Sequence, residues 1–252
     1  MSSLIDIHTH LLPAVDDGAD SMSEACEMLK IANSSGTKSI VMTPHHLAEA
    51  GRCVGYPKQL LAEKFKQFKE FAAKEFPKIS LYLGAENHVS KRTGYRFSKD
   101  ELIPINGTRY LLCEFDFVEL TEDAYNTARR LTDMGFVPII AHPERYEFAK
   151  HHPLSLNMFI QAGVLLQINA SSITSRADRV AHDVAMFLLE NRMASFVASD
   201  SHSVDYRPPD LSEAYSIVSS TFSVSYANEL FINNPNAVIN GENITSMNGD
   251  AS

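Results

Sequence analysis

The sequence predicts an α/β fold built as a β/α barrel in one domain spanning residues 1–252. Three observations lead there. Seven short apolar β-type runs recur along the 252 residues, each too short for a helix and most carrying Val, Ile or Tyr. Helical stretches follow many of them. No linker-like break divides the chain. Runs apolar throughout belong to strands buried on both faces, hence parallel, and strands alternating with helices make an α/β architecture. A domain takes about 100–200 residues, but α/β barrels run to about 250 as one unit. Seven units without a linker therefore favour a barrel over an open sheet.

In chain order the runs are residues 4–7, 39–42, 79–83, 110–113, 137–140, 164–168 and 195–198. The helices between them carry their own punctuation. Ser21 with Glu24 fits a capping box ahead of Ala25, Met28, Leu29 and Ala32, and Gly36 fits a stop. Across residues 57–76, Leu60, Leu61, Phe65, Phe68, Phe71 and Ala72 form one helical stripe. Thr121 is expected to cap a helix that ends at Gly135, with Glu122 and Asp123 in the first turn, where the helix dipole favours acids. Residues 156–162, 178–192 and 211–221 are helical by the same criteria. Residues 87–108 read as a loop insertion over one face, and residues from about 245 to the end as a disordered tail.

Composition narrows the function. With 44% apolar and 21% charged residues, the chain is not disordered, collagen-like or disulfide-stapled. A net charge of −9 repels the phosphate backbone of nucleic acid, so no nucleic-acid partner is expected. It also leaves carboxylates to hold cations. No stretch approaches the ~18 apolar residues that span a bilayer. The start, MSSLIDIHTH, lacks the basic and apolar regions of a signal peptide. Cys26, Cys53 and Cys113 are widely spaced and odd in number, which suits a reducing cytoplasm.

In a β/α barrel, functional residues come from the C-terminal ends of the strands. The first run is followed by His8 and His10, with Asp16 and Asp17 in the loop beyond. After the later runs come His45 and His46, Glu86, Glu114, His142, Asn169, and finally Asp200 and His202. Every end but the sixth carries a histidine or a carboxylate. Scatter of 10 histidines over the chain does not produce that pattern. His151, His152 and His182 read as surface residues, and His88 as at most a neighbour of the site.

Imidazole with carboxylate and no thiolate suits zinc, manganese or iron in a catalytic site. His8 and His10 project to the same side of an extended strand. Asp17, His45, Glu86, Glu114, His142, Asp200 and His202 bring the candidate ligands to nine. One metal takes three or four protein ligands, so nine imply two or three ions. Without cations, the carboxylates converging on one face would repel one another. A pair of metals about 3.5–4 Å apart lowers the pKa of bound water from ~15.7 to about 7 and clamps the oxygens of an in-line displacement. That is hydrolytic chemistry, with phosphoesters its commonest substrates. Phosphate also needs cationic donors. Arg145 in AHPERY and Arg207 in SDSHSVDYRPP both follow strand ends on the ligand-bearing face. The alternative for each is a surface ion pair with Glu144 or Asp205. Arg52 and Lys58 are weaker candidates.

The strings IDIHTHLLPAVDDGADS, TPHH, GAE, AHPER and ASDSHSVDYRPP, in that order, resemble the PHP superfamily. More narrowly they resemble the bacterial manganese-dependent tyrosine-protein phosphatases of capsule and exopolysaccharide loci, over residues 4–243. The resemblance implies a distorted seven-stranded, TIM-like barrel of PHP type holding three divalent ions, manganese preferred, with iron or zinc as alternatives. It implies the same nine ligands, with Arg145 and Arg207 on phosphate and His46 as a candidate proton donor. A phenolate whose conjugate acid has pKa ~10 can leave without one. The implied reaction is attack of a metal-bound hydroxide on phosphotyrosine in the tail of a bacterial tyrosine kinase that controls polysaccharide export.

Other readings share parts of this pattern. A PHP histidinol-phosphate phosphatase would have the same metals and a different pocket; the VDDG and RPP segments tilt against it. An amidohydrolase also opens on HxH, but usually wants a Lys after the fourth strand and a His after the sixth, where Glu114 and Asn169 stand. A non-catalytic phosphotyrosine-binding regulator would not need a complete ligand set. Thiol-dependent tyrosine phosphatases place a Cys six residues before an Arg. Here Cys26, Cys53 and Cys113 are followed at that distance by Ala32, Gln59 and Glu119, which excludes that mechanism. Peptide selectivity is expected in the loops at 47–57 and 87–108.

Overall fold

A computed structural model describes residues 3–46, 57–90, 98–174 and 178–244. Its strands are β1 (Leu4–Thr9), β2 (Thr37–Met42), β3 (His45–His46), β4 (Ser80–Leu83), β5 (Glu86–His88), β6 (Tyr110–Glu114), β7 (Val137–Ala141), β8 (Leu165–Asn169) and β9 (Phe196–Ala198). The apolar runs of the sequence all fall on strands, and every pairing is parallel. The expected seven strands become nine segments among the described residues, because two strands are interrupted. Thr43 and Pro44 separate β2 from β3, and Gly84 and Ala85 separate β4 from β5. Backbone bonds bridge both gaps: Thr43 N donates to Thr9 O (2.8 Å), Gly84 N to Met42 O (2.8 Å) and Glu86 N to Pro44 O (3.1 Å).

The segments lie in two sheets, β1-β2-β4 and β3-β5-β6-β7-β8-β9. A seam between β9 and β1 closes the ring. Thr9 bridges Ser201 in parallel, His10 N donates to Ser201 O and Asp200 N to His8 O (both 2.9 Å). The buried Asp6 carboxylate accepts from Ser199 N at 3.0 Å across the same seam. Between β4 and β6 a turn at Ile105–Gly107 packs where a regular barrel would continue its ladder. Gly84 makes room for it: a Cβ there would lie 3.3 Å from the Ile105 Cα and from the Val41 side chain.

Side-chain alternation sorts the core. Leu111 and Cys113 of β6 face outward into the cluster that includes Leu131, Phe159, Leu166, Val184 and Leu188. Tyr110 and Leu112 join Ile139, Ala141, Phe196 and Ala198, closed below by Val238 and Ile239. The helices are α1 (Met22–Ser34), α2 (Lys58–Glu75), α3 (Thr121–Asp133), α4 (Glu147–His151), α5 (Asn157–Gln161), α6 (Ala170–Ile173), α7 (Arg179–Glu190), α8 (Ser212–Thr221), α9 (Val224–Asn228) and α10 (Asn234–Asn240), the last carrying Val238 and Ile239.

Several local expectations shift. Ser21 Oγ caps α1 by accepting from Glu24 N (3.2 Å), but the Glu24 carboxylate reaches Asp20 N rather than Ser21 N. Thr121 is the first residue of α3 rather than its cap; Leu120 precedes it with no side-chain cap bond. Leu60 leaves the α2 stripe at 37% exposure, while Leu61, Phe68 and Ala72 are buried. Among the described residues no helix is long and apolar enough to cross a membrane. The expected disordered tail, Arg52, Cys53 and most of the 47–57 loop lie outside the described residues.

Candidate metal centre

The centre grows from the upper end of β1. His8 and His10 are fully buried there, with their Nε2 atoms 3.2 Å apart. The loop that follows folds back tightly: Ala19 N donates to His10 O at 3.0 Å and Ala14 N to Ala19 O at 2.8 Å. Gly18 permits this approach, since a Cβ would fall 1.9 Å from the His10 carbonyl oxygen. The glycine of the VDDG string is thus a steric requirement. The string's first carboxylate, Asp16, accepts from His10 Nδ1 (2.7 Å), from His45 N (2.9 Å) and from Gly18 N (3.1 Å). Its second, Asp17, faces His45 Nε2 at 3.4 Å and His202 Nε2 at 3.5 Å.

Strand ends around the ring supply the rest. Glu86 is buried at the centre. Its Oε2 lies 2.9 Å from His45 Nδ1 and 3.4 Å from both His8 Nε2 and His10 Nε2. Its Oε1 lies 3.0 Å from His142 Nε2. Glu114 stands 3.7 Å from His142 Nε2, 3.8 Å from His45 Nδ1 and 3.4 Å from His88 Nδ1. Asp200 Oδ1 is 3.4 Å from His8 Nε2 and 3.6 Å from His202 Nδ1. Three groups have donor atoms close enough to share a cation: His10–Asp17–His45–His202, His8–His10–Asp200 and His45–Glu86–Glu114. His142 adjoins the third. Every ligand expected from the sequence lies in this one assembly.

The donor set fits divalent cations. Glu86 Oε2 is buried among imidazole nitrogens with no hydrogen-bond partner among the described residues, and His142 Nδ1 shares that condition. Burial alone would raise the Glu86 carboxyl, but His8 and His45 hold it well below the usual carboxylate range. Burial would lower His10 and His45; Asp16 raises the first and Glu86 the second, each well above an ordinary imidazole. Burial and the neighbouring His10 push His202 down to about 3. A hydrogen bond from His45 keeps Asp17 low.

Backbone strain concentrates here too. His142 (φ 36°), Asp200 (φ 51°) and Arg207 (φ 53°) are three of the few non-glycine residues in the left-handed region, each costing about 1–3 kcal/mol. The strained turns bring two guanidiniums to one carboxylate oxygen. Asp200 Oδ2 accepts from Arg207 and lies 3.6 Å from Arg145. Arg145 does not take the alternative ion pair with Glu144, for Glu144 turns inward, its Oε1 accepting from Asn169 N (3.0 Å) and Ser172 Oγ (2.8 Å). The Arg145 guanidinium stacks 4.5 Å from the Phe117 ring centroid, and Arg207 lies 5.1 Å from that of Tyr206. Both arginines line a cleft of about 360 Å³ with Ser172, Asp205 and Asp210.

Other candidates lie elsewhere. His46 is buried with Nε2 donating to Glu101 O at 2.8 Å, and it joins none of the donor groups. Lys58 Nζ is bound to Leu102 O at 2.7 Å. Burial pushes the Cys113 thiol up, so it is not activated. Asp16, Gln167, Asn169 and Phe117 contact site residues without having been singled out for it. A signal was present: Gln167 and Asn169 are polar positions of one face in an otherwise apolar strand.

Comparison with known proteins agrees with this geometry. The family described as capsular polysaccharide synthesis, CpsB/CapC, matches residues 4–240. The tyrosine-protein phosphatase CpsB of Streptococcus pneumoniae is 29% identical over 94% of this chain and 98% of its own. The putative tyrosine-protein phosphatase CapC of Staphylococcus aureus is 35% identical over 81% of this chain and 79% of its own. In solved structures, a chain from the work on Bacillus subtilis YwqE and S. pneumoniae CpsB, described as unique metal-dependent tyrosine phosphatases, superposes with a TM-score of 0.85 at 28% identity, covering 96% of both chains. Histidinol phosphate phosphatase of Lactococcus lactis shares the fold at a TM-score of 0.53 and 17% identity, covering 88% of this chain and 95% of its own. With the motif-bearing strand ends, the VDDG loop and the match across nearly the whole length all in agreement, the chain belongs to the CpsB/CapC family.

Proposed function

We propose that this chain is a metal-dependent protein-tyrosine phosphatase of the cytoplasm, acting as a single domain. Its substrate is phosphotyrosine in the tail of a bacterial tyrosine kinase that governs capsule or exopolysaccharide synthesis. One observation carries the reading. The two oxygens of Asp200 face different chemistries, Oδ1 toward the imidazoles and Oδ2 toward Arg145 and Arg207. A phosphate held by the arginines would therefore sit against the donor groups.

His8, His10, Asp17, His45, Glu86, Glu114, His142, Asp200 and His202 would hold three divalent ions, manganese by preference. Bound there, such ions supply an acidified water near neutral pH and neutralise charge on the phosphoryl oxygens. The chain's own residues do the rest. Arg145 and Arg207 bind the phosphate oxygens through planar forks of N–H donors. Arg207 Nε is buried without a hydrogen-bond partner among the described residues, a donor free for such an oxygen. Phe117 and Tyr206, at 37% and 70% exposure, hold the guanidinium planes and offer a substrate phenyl ring apolar contact. His46 receives no proton-donor role: Glu101 O occupies its Nε2, and burial lowers its pKa.

Elemental analysis of the purified protein, with phosphate release from a phosphotyrosine peptide, a phosphoserine peptide and histidinol phosphate, tests this. Divalent metal and fastest release from phosphotyrosine are expected. Fastest release from histidinol phosphate would assign the small-substrate reading instead. Peptide binding without release would assign a regulator.

A further inference from the structure

β8 is the strand whose end bears no candidate ligand, yet its polar side chains join two of them. His8 Nδ1 lies 2.7 Å from Gln167 Oε1, Gln167 Nε2 donates to Asn169 Oδ1 at 2.9 Å, and Asn169 Nδ2 donates to Asp200 Oδ2 at 2.7 Å. All four side chains are buried. We propose that Gln167 and Asn169 are positioning residues that preset the His8 ring and the Asp200 carboxylate for cation binding.

The direction of the chain is fixed from one end. Asp200 Oδ2 already accepts from Arg207 and lies 3.6 Å from Arg145, so it presents an acceptor to Asn169 as well. Asn169 must therefore present its NH₂ to Asp200, which turns its oxygen to Gln167. That oxygen accepts in turn, so Gln167 presents its NH₂ to Asn169 and its oxygen to His8. An amide oxygen cannot donate, so His8 Nδ1 carries the proton. In the neutral ring the lone pair is then on Nε2, the atom that faces His10 Nε2, Glu86 Oε2 and Asp200 Oδ1. The reverse order would set two oxygens 2.7 Å apart at Asn169 and Asp200. The same bonds tie down Asp200 Oδ2 and leave Oδ1 turned toward the imidazoles. Asn169 is itself held through its backbone N, bound to Glu144 Oε1 at 3.0 Å. Partners of this kind orient metal-ligating groups, and their loss typically costs about 10–100-fold in metal affinity.

The inference rests on reading His8 and Asp200 as cation ligands, so its test begins without metal. ¹⁵N-imidazole NMR of the metal-free protein, at a pH alkaline enough to neutralise the rings, reports each tautomer. The His8 signals are those lost in His8→Gln. The expected wild-type result is a single Nδ1–H tautomer. Asn169→Leu changes a residue that does not bond His8, yet should yield a mixture of tautomers, as should Gln167→Met. Mn²⁺ affinity by calorimetry should fall about 10–100-fold in both variants. An Nε2–H or mixed tautomer in the wild type overturns the proposal, and that measurement needs no variant to fold. An unchanged tautomer in folded Asn169→Leu also overturns it. A clean Nδ1–H tautomer in a protein that binds no Mn²⁺ would uphold the hydrogen-bond chain and reject the cation-ligand reading.

Discussion

Along β6, Tyr110 and Leu112 share a face with Glu114; along β9, Phe196 and Ala198 lead two residues later to Asp200. The lower part of this barrel interior is apolar and closed by Val238 and Ile239. Its upper rim gathers buried imidazoles and carboxylates, left-handed backbone and unpartnered polar atoms. The same strands therefore pack below and carry charge above. Apolar burial stabilises without any ligand, at roughly 25 cal/mol per Å². The rim instead concentrates carboxylates whose mutual repulsion falls only when protons or cations join them.

Four perturbations should separate the two regions. The largest effect falls on the rim alone. EDTA should abolish phosphate release and Mn²⁺ restore it, while circular dichroism shows the strands and helices intact. Alkylating the thiols should leave turnover unchanged, because neither described cysteine is activated; loss of turnover on alkylation alone would contradict the mechanism. Next, Arg207→Ala removes a proposed phosphate donor without removing a candidate ligand. Turnover should drop about 10²–10³-fold, the usual cost of one preorganised donor, with metal content near that of the wild type. Lost metal would place Arg207 in the cation assembly instead. The smallest effect belongs to the lower half. Ile139→Val should cost about 0.5–1.5 kcal/mol of stability in denaturant titration and leave metal content unchanged. A change in metal content there would mean that the two regions are coupled.

The legibility of the sequence follows the same division. The parallel strands could be read because burial on both faces leaves runs such as LIDI and VPII that no surface strand would carry. The convergence of the candidate ligands could be read because a barrel delivers strand-end residues to one rim, whatever their separation in the chain. The interruptions at Thr43–Pro44 and Gly84–Ala85 could not, since β3 and β5 are held by a few backbone bonds to neighbours distant in sequence. The helical segments after Thr221 were also missed: Val224–Asn228, a π turn at Glu229–Asn233 and Asn234–Asn240 are too short to establish a periodicity. Asp16 and Gln167 showed their chemistry but not their targets. Which imidazole each one orients depends on loop closure over Gly18 and on the neighbour of β8 across the barrel.

If the rim is a cation site, metal binding should release protons, because imidazoles ligate in their neutral form. Burial disfavours charge on His10 and His45, but Asp16 raises the first and Glu86 the second above an ordinary imidazole, so a cation entering the rim competes with protons there. The direct measurement is a Mn²⁺ titration of metal-free protein near pH 7, with bound metal quantified by elemental analysis and released protons by an indicator dye. More than one ion per chain, with proton release and with affinity rising as pH rises, is the expected result. Saturating Mn²⁺ that leaves less than one ion per chain, or binds without releasing protons, would contradict it.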